Sequence, residues 1–515
     1  MLIKHFVLNG ADTIIAKAIN DVMVLFGITE NKINCRQEDG ASTWLPADTV
    51  LVKSKIDSQE PIQVNTEFIY RLDDGSMKCL KQVNHVTSEC EPPVSAYKRL
   101  TKLNTLAAMC QITGQDPGPW GILHGVRPTK LVHRLLDQGL SQNDSKAMIS
   151  NQYAVAGTKA KLVTDIAIRQ RLFFALNRSA PKAVSIYVGI PFCPSRCLYC
   201  SFPAYVLPND DRIDVFLTAL RKDIEAACNL IRRYNLTVEN IYIGGGTPTS
   251  LSNKHFKGLL SSVSDHFITS STREFTVEAG RPDSINEEKI DTMRAYNVSR
   301  VSINPQSMQQ KTLNLIGRNH TVEDIINTFG KIRQSGIPLI NMDVIAGLPG
   351  EDVQDVADTM AQIKALNPDN LTVHTLAVKK GSILKTEIAH YLKPTSLQGE
   401  NIQHMLDIAE QYACQMNMHP YYLYRQKYMM GNLENVGYAK AGAECRYNVQ
   451  IMEERQTIIG IGPAAATKAV NVSNWRLKSC YNAKDLLSYI HNVDVYTGRR
   501  DQLLAALFAR NEEEY

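Results

Sequence analysis

The chain has 515 residues, of which 44% are hydrophobic, and this length is typical of a globular protein with about two to four domains. Its formal net charge is only +4 and 21% of its residues are charged, which excludes a long basic tract for binding nucleic acid. The first residues lack the regions of a secretory signal, and no apolar stretch is long enough to span a membrane. We therefore expect a cytoplasmic protein with no nucleic-acid partner and no membrane span.

Residues 1–176 predict a small α+β region that continues into helices. Two strand-like runs, Phe68–Leu72 and Met77–Leu80, flank the turn sequence Asp-Asp-Gly-Ser and predict a hairpin. From Ser95 to Leu176 the apolar residues recur at helical spacing. No pattern of catalytic residues stands out here, so the role of this N-terminal region stays open.

After a polar linker, the chain alternates strand-like and helical segments. Strands are predicted to begin near Ser185, Asn240, Glu274, Arg300, Ile340 and Asn370. Six strand–helix units in succession favour a parallel sheet, and six rather than eight suggests an open, partial barrel. The predicted fold is therefore α/β, with a partial (β/α)6 barrel over residues 183–385 and a C-terminal accessory domain over residues 386–515.

Three cysteines, Cys193, Cys197 and Cys200, lie within eight residues directly after the first predicted strand. Thiolates are the ligands of iron–sulfur clusters, and a cluster of four irons normally takes four of them. Three close cysteines with no obvious fourth suggest a cluster with one iron open to a small ligand. The alternatives are a structural zinc site that lacks one ligand and three unrelated core cysteines. The short spacing, in a chain expected to keep its thiols reduced, favours the metal site.

Unusual residues also follow the later strands, at the end where parallel sheets carry functional groups. The second strand ends in Gly244-Gly-Gly-Thr-Pro248, whose glycines let a ligand approach the backbone, although they also suit a tight turn. Glu278 and Asp343 interrupt apolar strands, and a buried carboxylate needs a partner, either a ligand or a structural salt bridge. Their shared position beside the cysteines favours a single site.

These motifs resemble those of a known family. The spacing of the three cysteines, followed by the Gly-Gly-Gly-Thr-Pro loop, resembles the radical S-adenosylmethionine (SAM) enzymes. More narrowly, residues 183–468 are similar to oxygen-independent coproporphyrinogen III oxidase, also called coproporphyrinogen dehydrogenase. The extra N-terminal region suggests the longer variety of that family. The motifs that carry this likeness are Tyr187-x-x-Ile-Pro-Phe-Cys193, Gly244–Thr249, Gly347-Leu-Pro349 and Gly460-Ile-Gly462.

The resemblance implies an oxidoreductase of heme (porphyrin) biosynthesis. Cys193, Cys197 and Cys200 would hold a 4Fe-4S cluster whose open iron binds SAM (S-adenosyl-L-methionine), and the family holds two SAM molecules. The family reaction turns two propionates of coproporphyrinogen III into vinyl groups and gives protoporphyrinogen IX. The resemblance also implies a porphyrinogen substrate and a one-electron donor such as flavodoxin or ferredoxin. Because such cofactors carry the difficult chemistry, no separate catalytic triad or carboxylate pair is expected.

The family's SAM contacts carry over onto matching motifs of this chain. The residues that match contacts of the cluster-bound SAM are Tyr187, Gly245 and Glu278, and those that match contacts of the second are Tyr199, Gly246, Thr247, Gln306, Arg318, Asp343 and Ala377. An arginine can pair with a carboxylate through two hydrogen bonds, and a carboxylate accepts from ribose hydroxyls or an ammonium group. For the tetrapyrrole propionates, candidates by position alone are Arg281, Lys379, Arg425 and Arg446, although the sequence favours a surface charge for each of them.

Two positions depart from the well-studied members and leave the substrate open. Ser201-Phe202 follows the third cysteine in place of x-Cys, and Gly189 stands where histidine is frequent. The alternatives are a heme-binding carrier and a radical enzyme that methylates or opens heme. The carrier branch typically shows Cys-Arg-His-Asn followed by Tyr-Trp, and the run that begins Cys445-Arg-Tyr-Asn lacks both the histidine and the aromatic pair.

Overall fold

The computed structural model describes residues 2–509 except 10–11, 31–44, 59–60, 87–90, 124, 126, 180, 380, 388–398 and 427–428. The chain forms two compact units. One comprises Met1–Thr164 with Gly431–Leu433, and the other comprises Asp165–Met430 with Glu434–Tyr515. No helix in the described residues is long and apolar enough to cross a membrane.

The first unit contains a five-stranded sheet and helices. Its elements are β1 (His5–Asn9), α1 (Thr13–Met23), β2 (Thr29–Glu30), β3 (Thr49–Asp57), β4 (Ile62–Arg71), β5 (Met77–Val86), α2 (Pro93–Thr113), α3 (Thr129–Asp137), α4 (Gln142–Tyr153) and the start of α5 (Gly157–Ser179). The sheet order is β2-β1-β3-β4-β5. Its core contains the fully buried side chains of Phe6, Ile19, Phe68 and Met109.

The predicted N-terminal hairpin is confirmed. Strands β4 and β5 pair antiparallel, and Arg71 stands opposite Met77 at the turn. Asp74 Oδ1 accepts a hydrogen bond of 2.8 Å from the Ser76 backbone N–H, which is the local bond that favours aspartate in turns. Burial alternates strictly along β4, as expected where one sheet face covers a core.

The second unit alternates strands and helices. Its elements after α5 are β6 (Ala183–Ile190), β7 (Phe192–Cys193), β8 (Tyr205–Val206), α6 (Asp210–Arg233), β9 (Thr237–Gly245), α7 (Asn253–Phe267), β10 (Glu274–Glu278), α8 (Glu287–Ala295), β11 (Arg300–Gln306), α9 (Gln310–Leu315), α10 (Val322–Gln334), β12 (Leu339–Ala346), α11 (Val353–Leu366), β13 (Asn370–Thr375), α12 (Ile383–Thr386), α13 (Gly399–Gln415), β14 (His419–Tyr424), β15 (Asn435–Ala439), α14 (Arg446–Glu453), β16 (Thr457–Ile461), β17 (Ala466–Val470), β18 (Leu477–Tyr481), α15 (Leu486–His491) and α16 (Val493–Phe508). Short 3₁₀ turns lie at Val24–Phe26, Pro248–Ser250, Pro282–Ser284 and Met430–Asn432.

All six predicted strands exist and pair side by side in parallel. Within the described residues the sheet has eleven strands in the order β14-β15-β13-β12-β11-β10-β9-β6-β16-β17-β18. The parallel block runs from β13 to β6 and continues into β16. These strands are apolar along most of their length because, in parallel sheets, helices usually cover both faces. The carboxyl ends of β6 and β9 to β13 therefore meet at one edge of the sheet.

Five strands of this sheet were not among those predicted. Strand β16 pairs in parallel with β6, so that Thr457 stands opposite Val184. Strand β15 pairs antiparallel with β13, and β14, β17 and β18 complete the two ends. Residues from the predicted accessory region, beyond 386, therefore extend the same sheet, while its start at residues 388–398 lies outside the described residues.

A buried ion pair joins α16 to α6. Arg500 Nη1 lies 2.6 Å from Asp223 Oδ1, and both side chains are almost fully buried. The other oxygen of Asp223 accepts hydrogen bonds from the Tyr489 hydroxyl at 2.8 Å and from the Gly462 backbone N–H at 2.9 Å. Several donors on one carboxylate compensate for its loss of water.

Candidate active site at the carboxyl ends of the strands

The three cysteines of the predicted metal site lie at the end of β7, which Cys193 closes, and in the loop that follows it. Backbone hydrogen bonds fix this loop, from Leu198 N to Ile316 O at 3.0 Å and from Leu384 N to Leu198 O at 3.0 Å. All three cysteines are free of disulfides, and burial raises the pKa of the Cys193 thiol to about 11. Within the described ranges no three His, Cys, Asp or Glu side chains stand grouped closely enough to hold a metal ion.

The sulfur atoms of this loop face hydrogen-bonding groups. Cys193 Sγ lies 3.5 Å from Thr247 Oγ1, and Arg281 Nη1 donates to Cys197 Sγ at 3.6 Å. Three thiols within eight residues, with a cationic donor beside one of them, suit an anionic, sulfur-rich cluster, because hydrogen bonds to cluster sulfurs are a regular means of stabilising such groups. The residues present therefore fit an iron–sulfur cluster.

The Gly-Gly-Gly-Thr-Pro loop packs directly on the segment that precedes the cysteines. A Cβ added at Gly246 would lie 2.4 Å from the Phe192 carbonyl oxygen, and Gly245 has φ +109°, which favours glycine. The backbone N–H groups of Gly246 and Thr247 donate to Ile190 O at 2.7 Å and Phe192 O at 2.6 Å. A tight, packed turn accounts for these glycines as well as a ligand cradle does.

Glu278 ends β10 and is held by two neutral donors. The Tyr242 hydroxyl donates to Oε1, and the Gly245 backbone N–H donates to Oε2 at 3.0 Å. Burial raises the pKa of the Glu278 carboxyl to about 7. Among the described residues no cation lies in salt-bridge range of it, so the structural salt-bridge alternative receives no support.

Asp343 on β12 has an imidazole as its neighbour. Its Oδ2 lies 3.6 Å from His374 Nε2, and its Oδ1 accepts a hydrogen bond of 2.8 Å from Asn341 Nδ2. The other ring nitrogen of His374 lies 3.1 Å from the Tyr424 hydroxyl. A ligand could therefore donate a hydrogen bond to the Asp343 carboxylate only alongside its existing contacts with His374 and Asn341.

Gln306 carries two signs of a constrained position. It is the last residue of β11, its φ is +69°, and such values are uncommon for residues other than glycine. Its side chain is 8% exposed, and Oε1 has no hydrogen-bond partner in the structure. Because buried polar atoms are normally satisfied, this oxygen is suited to a polar group of a ligand.

Arg318 and Tyr199 contact each other. Arg318 Nη2 donates to the Tyr199 hydroxyl at 3.1 Å, whereas Nη1 donates to the carbonyl oxygens of Gly280 and Asn304. The predicted pairing of this arginine with a carboxylate through both Nη groups would thus compete with existing bonds. Its Nε is buried and has no partner in the structure.

A stack of tyrosines was not predicted. The Tyr447 ring lies 4.5 Å from that of Tyr242 and 6.1 Å from that of Tyr187, measured between ring centres and with nearly parallel planes. Tyr187 and Tyr242 stand opposite each other in the β6–β9 register, so the two strand sequences contained a signal for part of this stack. Tyr447 comes from α14, and nothing in its local sequence indicated the contact.

The remaining predicted residues are less closely joined to the site. Ala377 follows β13 and forms an isolated antiparallel bridge with Met429. Of the cations proposed for the tetrapyrrole, Arg281 and Arg425 are 3% and 4% exposed, so neither is a surface charge. Arg446 lies over the Phe173 ring, 5.2 Å from its centre, and Lys379 is partly exposed.

Comparison with known proteins finds the following similarities. The radical SAM superfamily model matches residues 187–363. The oxygen-independent coproporphyrinogen-III oxidase-like protein HemZ of Bacillus subtilis (strain 168) is 40% identical over 80% of this chain and 81% of its own length. Heme chaperone HemW of the same organism is 29% identical over 56% of this chain and 73% of its own length. Among solved structures, the coproporphyrinogen III oxidase HemN of Escherichia coli is 22% identical, covers 64% of this chain and 73% of its own, and has a TM-score of 0.48.

Proposed function

The chain belongs to the oxygen-independent coproporphyrinogen-III oxidase-like radical SAM proteins, and from this premise we propose that it oxidatively decarboxylates two propionates of coproporphyrinogen III to vinyl groups. The product would be protoporphyrinogen IX in heme biosynthesis. The observation that carries the proposal is the three-cysteine loop at the edge of the sheet where Glu278 and Gln306 also end their strands. Buried polar groups with unusual pKa values or missing partners cluster at functional sites.

The cofactors proposed are a 4Fe-4S cluster and two SAM molecules, which when bound supply the radical chemistry at the propionate. Cys193, Cys197 and Cys200 would hold the cluster. Tyr187, Gly245 and Glu278 would hold the first SAM, where Glu278 accepts from a ribose hydroxyl or an ammonium group. Gln306 Oε1 and Arg318 Nε, which have no partner in the described structure, would take polar groups of the second SAM. The other groups proposed for the second SAM are Tyr199, Gly246, Thr247, Asp343 and Ala377.

The finer architecture belongs to the same proposal. We infer that the six predicted strands form a partial (β/α)6 barrel over residues 183–385, with residues 1–176 as a separate N-terminal region. Residues 386–515 would act as the accessory part, although their strands continue the sheet. A one-electron donor of the flavodoxin or ferredoxin type would supply reducing equivalents.

A heme-carrier function is the alternative, supported by the likeness to the heme chaperone HemW. Tyr447 stands where the carrier branch has its histidine. Its side chain is 6% exposed and its ring packs on Tyr242, so it does not present a ligand to heme iron in this conformation. This packing favours the oxidase.

The test is an anaerobic assay of the full-length protein with reconstituted cluster, dithionite, SAM and coproporphyrinogen III. We expect loss of two carboxyl groups per substrate and, after air oxidation, protoporphyrin detected by mass spectrometry and fluorescence. The matched control is Cys228→Ala, which alters a buried cysteine outside the loop and should leave the product unchanged. A protein that holds its cluster and cleaves SAM yet yields no vinyl product, and that binds heme tightly instead, would refute the oxidase.

A further inference from the structure

Arg281 reaches the sulfur of a cysteine from a different strand end. It lies three residues after the end of β10, and its Nη1 donates to Cys197 Sγ at 3.6 Å. Both side chains are buried, and the arginine is only 3% exposed. A guanidinium is charged at any pH that the protein tolerates, so a full positive charge adjoins this sulfur.

The orientation of Arg281 is fixed by its other contacts. Asp283 accepts from Arg281 Nε at 3.1 Å and from Nη2 at 2.9 Å, a two-bond arrangement that holds the guanidinium plane. Ser195, within the cysteine loop, accepts from Nη2 at its hydroxyl at 3.0 Å and from Nη1 at its carbonyl oxygen at 3.4 Å. With these bonds made, Arg281 is not available to a substrate carboxylate.

Asp283 partly neutralises the positive charge of Arg281 near the sulfur. Its Oδ1 also lies 3.4 Å from Nδ1 of His320, a side chain with no exposed surface. Desolvation by burial lowers the pKa of the His320 imidazole, which favours its neutral form. Arg318 is a second buried cation whose charge acts on Cys197. Arg281 differs from it in donating a hydrogen bond to the Cys197 sulfur and in being paired with a carboxylate, that of Asp283.

We propose that Arg281 is a positioning residue that raises the reduction potential of the iron–sulfur cluster through Cys197, and that Asp283 limits this increase. When the cluster accepts one electron from an external one-electron donor, its ligand sulfurs gain negative charge. A fixed cationic donor stabilises that reduced state more than the oxidised state, which makes reduction more favourable. The inference rests on the cluster ligation of the proposed function, and not on its porphyrinogen substrate.

A purely structural role makes a different prediction. If Arg281 only joined Ser195 to Asp283, substitution would alter stability or cluster content, but the potential of the clusters that remain would not move. Because Arg281 and Asp283 carry opposite charges, neutralising each in turn should shift the reduction potential of the cluster in opposite directions. Opposite shifts are not expected from a general loosening of the loop.

The experiment is an anaerobic redox titration of the full-length, reconstituted protein without SAM, followed by electron paramagnetic resonance of the reduced cluster. In Arg281→Gln we expect the equilibrium constant for reduction to fall about tenfold, which is a potential about 59 mV more negative. In Asp283→Asn we expect a shift to a more positive potential. Arg333→Gln is the matched control, since it loses an ion pair with Asp369, which lies at the amino end of β12 and accepts from the Ile340 N–H, and it should leave the potential unchanged.

Each outcome decides between the two roles. Unchanged potentials in Arg281→Gln and Asp283→Asn, with cluster iron and sulfide retained, would overturn the inference. If Arg281→Gln yields no cluster, Arg281→Lys replaces it, because lysine keeps the positive charge but loses the two-bond geometry. The cluster in Arg281→Lys should then have a lower reduction potential than in the unaltered protein. An equal potential would again overturn the inference. Absence of a cluster in the unaltered protein would instead refute the proposed function itself.

Discussion

The Tyr242 hydroxyl donates a hydrogen bond to Glu278 Oε1 and so joins the interior of β9 to the end of β10. The same tyrosine ring stacks on Tyr447, which comes from a helix much later in the chain. One aromatic side chain thus connects the carboxylate of the candidate site to the packed tyrosines beneath it. This connection suggests that the position of Glu278 depends on residues that would not touch a ligand.

Replacement of Tyr242 by phenylalanine should destabilise the protein. The ring stack remains, but Glu278 loses its side-chain donor, and an unsatisfied buried polar group costs about 1–3 kcal/mol. We expect the free energy of unfolding in urea to fall by about that amount. Tyr187→Phe is the control, since the Tyr187 hydroxyl makes no hydrogen bond in the described structure, and an equal loss in both variants would contradict the assignment.

The stability of the cluster-free protein should fall as pH rises from about 4.5 to about 7. Burial raises the pKa of Glu278 from 4.5 to about 7, so within this window the folded protein keeps a proton that the unfolded chain releases. The free energy of unfolding then decreases with pH and stays lower above 7. In Glu278→Gln this decrease should be smaller, as measured by urea unfolding across the window.

Glu351 provides an independent check of the same effect. Burial also raises its pKa to about 7, and it accepts a hydrogen bond from the Ser307 hydroxyl. Glu351→Gln should therefore reduce the pH dependence as well, and the two substitutions should act additively because no contact joins the two carboxyls in the described structure. Identical pH profiles for the unaltered protein and both variants would refute the raised pKa values.

Removal of the three thiols should abolish the cluster. We expect the Cys193/Cys197/Cys200→Ala protein to lose the visible absorbance of a thiolate-held iron–sulfur cluster after anaerobic reconstitution. Iron and sulfide analysis measures the same loss. Cys228→Ala should retain both signals, and cluster iron retained at the full level in the triple variant would show that other residues are the ligands.

A methyl group at Gly246 should disturb the site, whereas one at Gly258 should not. In Gly246→Ala the new Cβ would lie 2.4 Å from a backbone oxygen, and forced overpacking costs about 1–3 kcal/mol. We expect that loss in urea unfolding, together with weaker SAM binding by calorimetry. Gly258 lies within α7 with open space around it, so Gly258→Ala should stabilise by about 0.5–1 kcal/mol. Equal effects of the two substitutions would contradict the packed geometry of the loop.

The sequence predicted the six parallel strands because each combines apolar residues with a turn signal, as at Glu274–Glu278 and Asn370–Thr375. It did not predict β16, since a five-residue apolar run such as Thr457–Ile461 has no period that distinguishes a strand from a buried helix segment. The partner of a strand is also set by tertiary packing, which local pattern does not encode.

The candidate site was predictable to a similar degree. Motif spacing placed Cys193, Glu278 and Gln306 at one edge of the sheet, and their strands do end there. Charge alone could not assign Arg281, because a buried arginine and a surface arginine have the same local sequence signal. Asp283, two residues later, was the available sign that Arg281 has an ion-pair partner. Only the folded chain brings the Cys197 sulfur to Arg281.

The pairing of β6 with β16 has a consequence for how the protein is made. Strand β6 leads into the cysteine loop, but its neighbour on one side is Thr457–Ile461, far later in the chain. While the ribosome is still making the intervening segments, that edge of β6 has no partner, and contacts between distant segments form late because closing long loops is costly. We therefore expect β6, which leads into the cysteine loop, to gain its second neighbour only after Thr457–Ile461 has been made. Iron and sulfide delivered before that point would meet a cysteine loop whose preceding strand lacks one neighbour, and the thiols would need a reducing environment in the meantime.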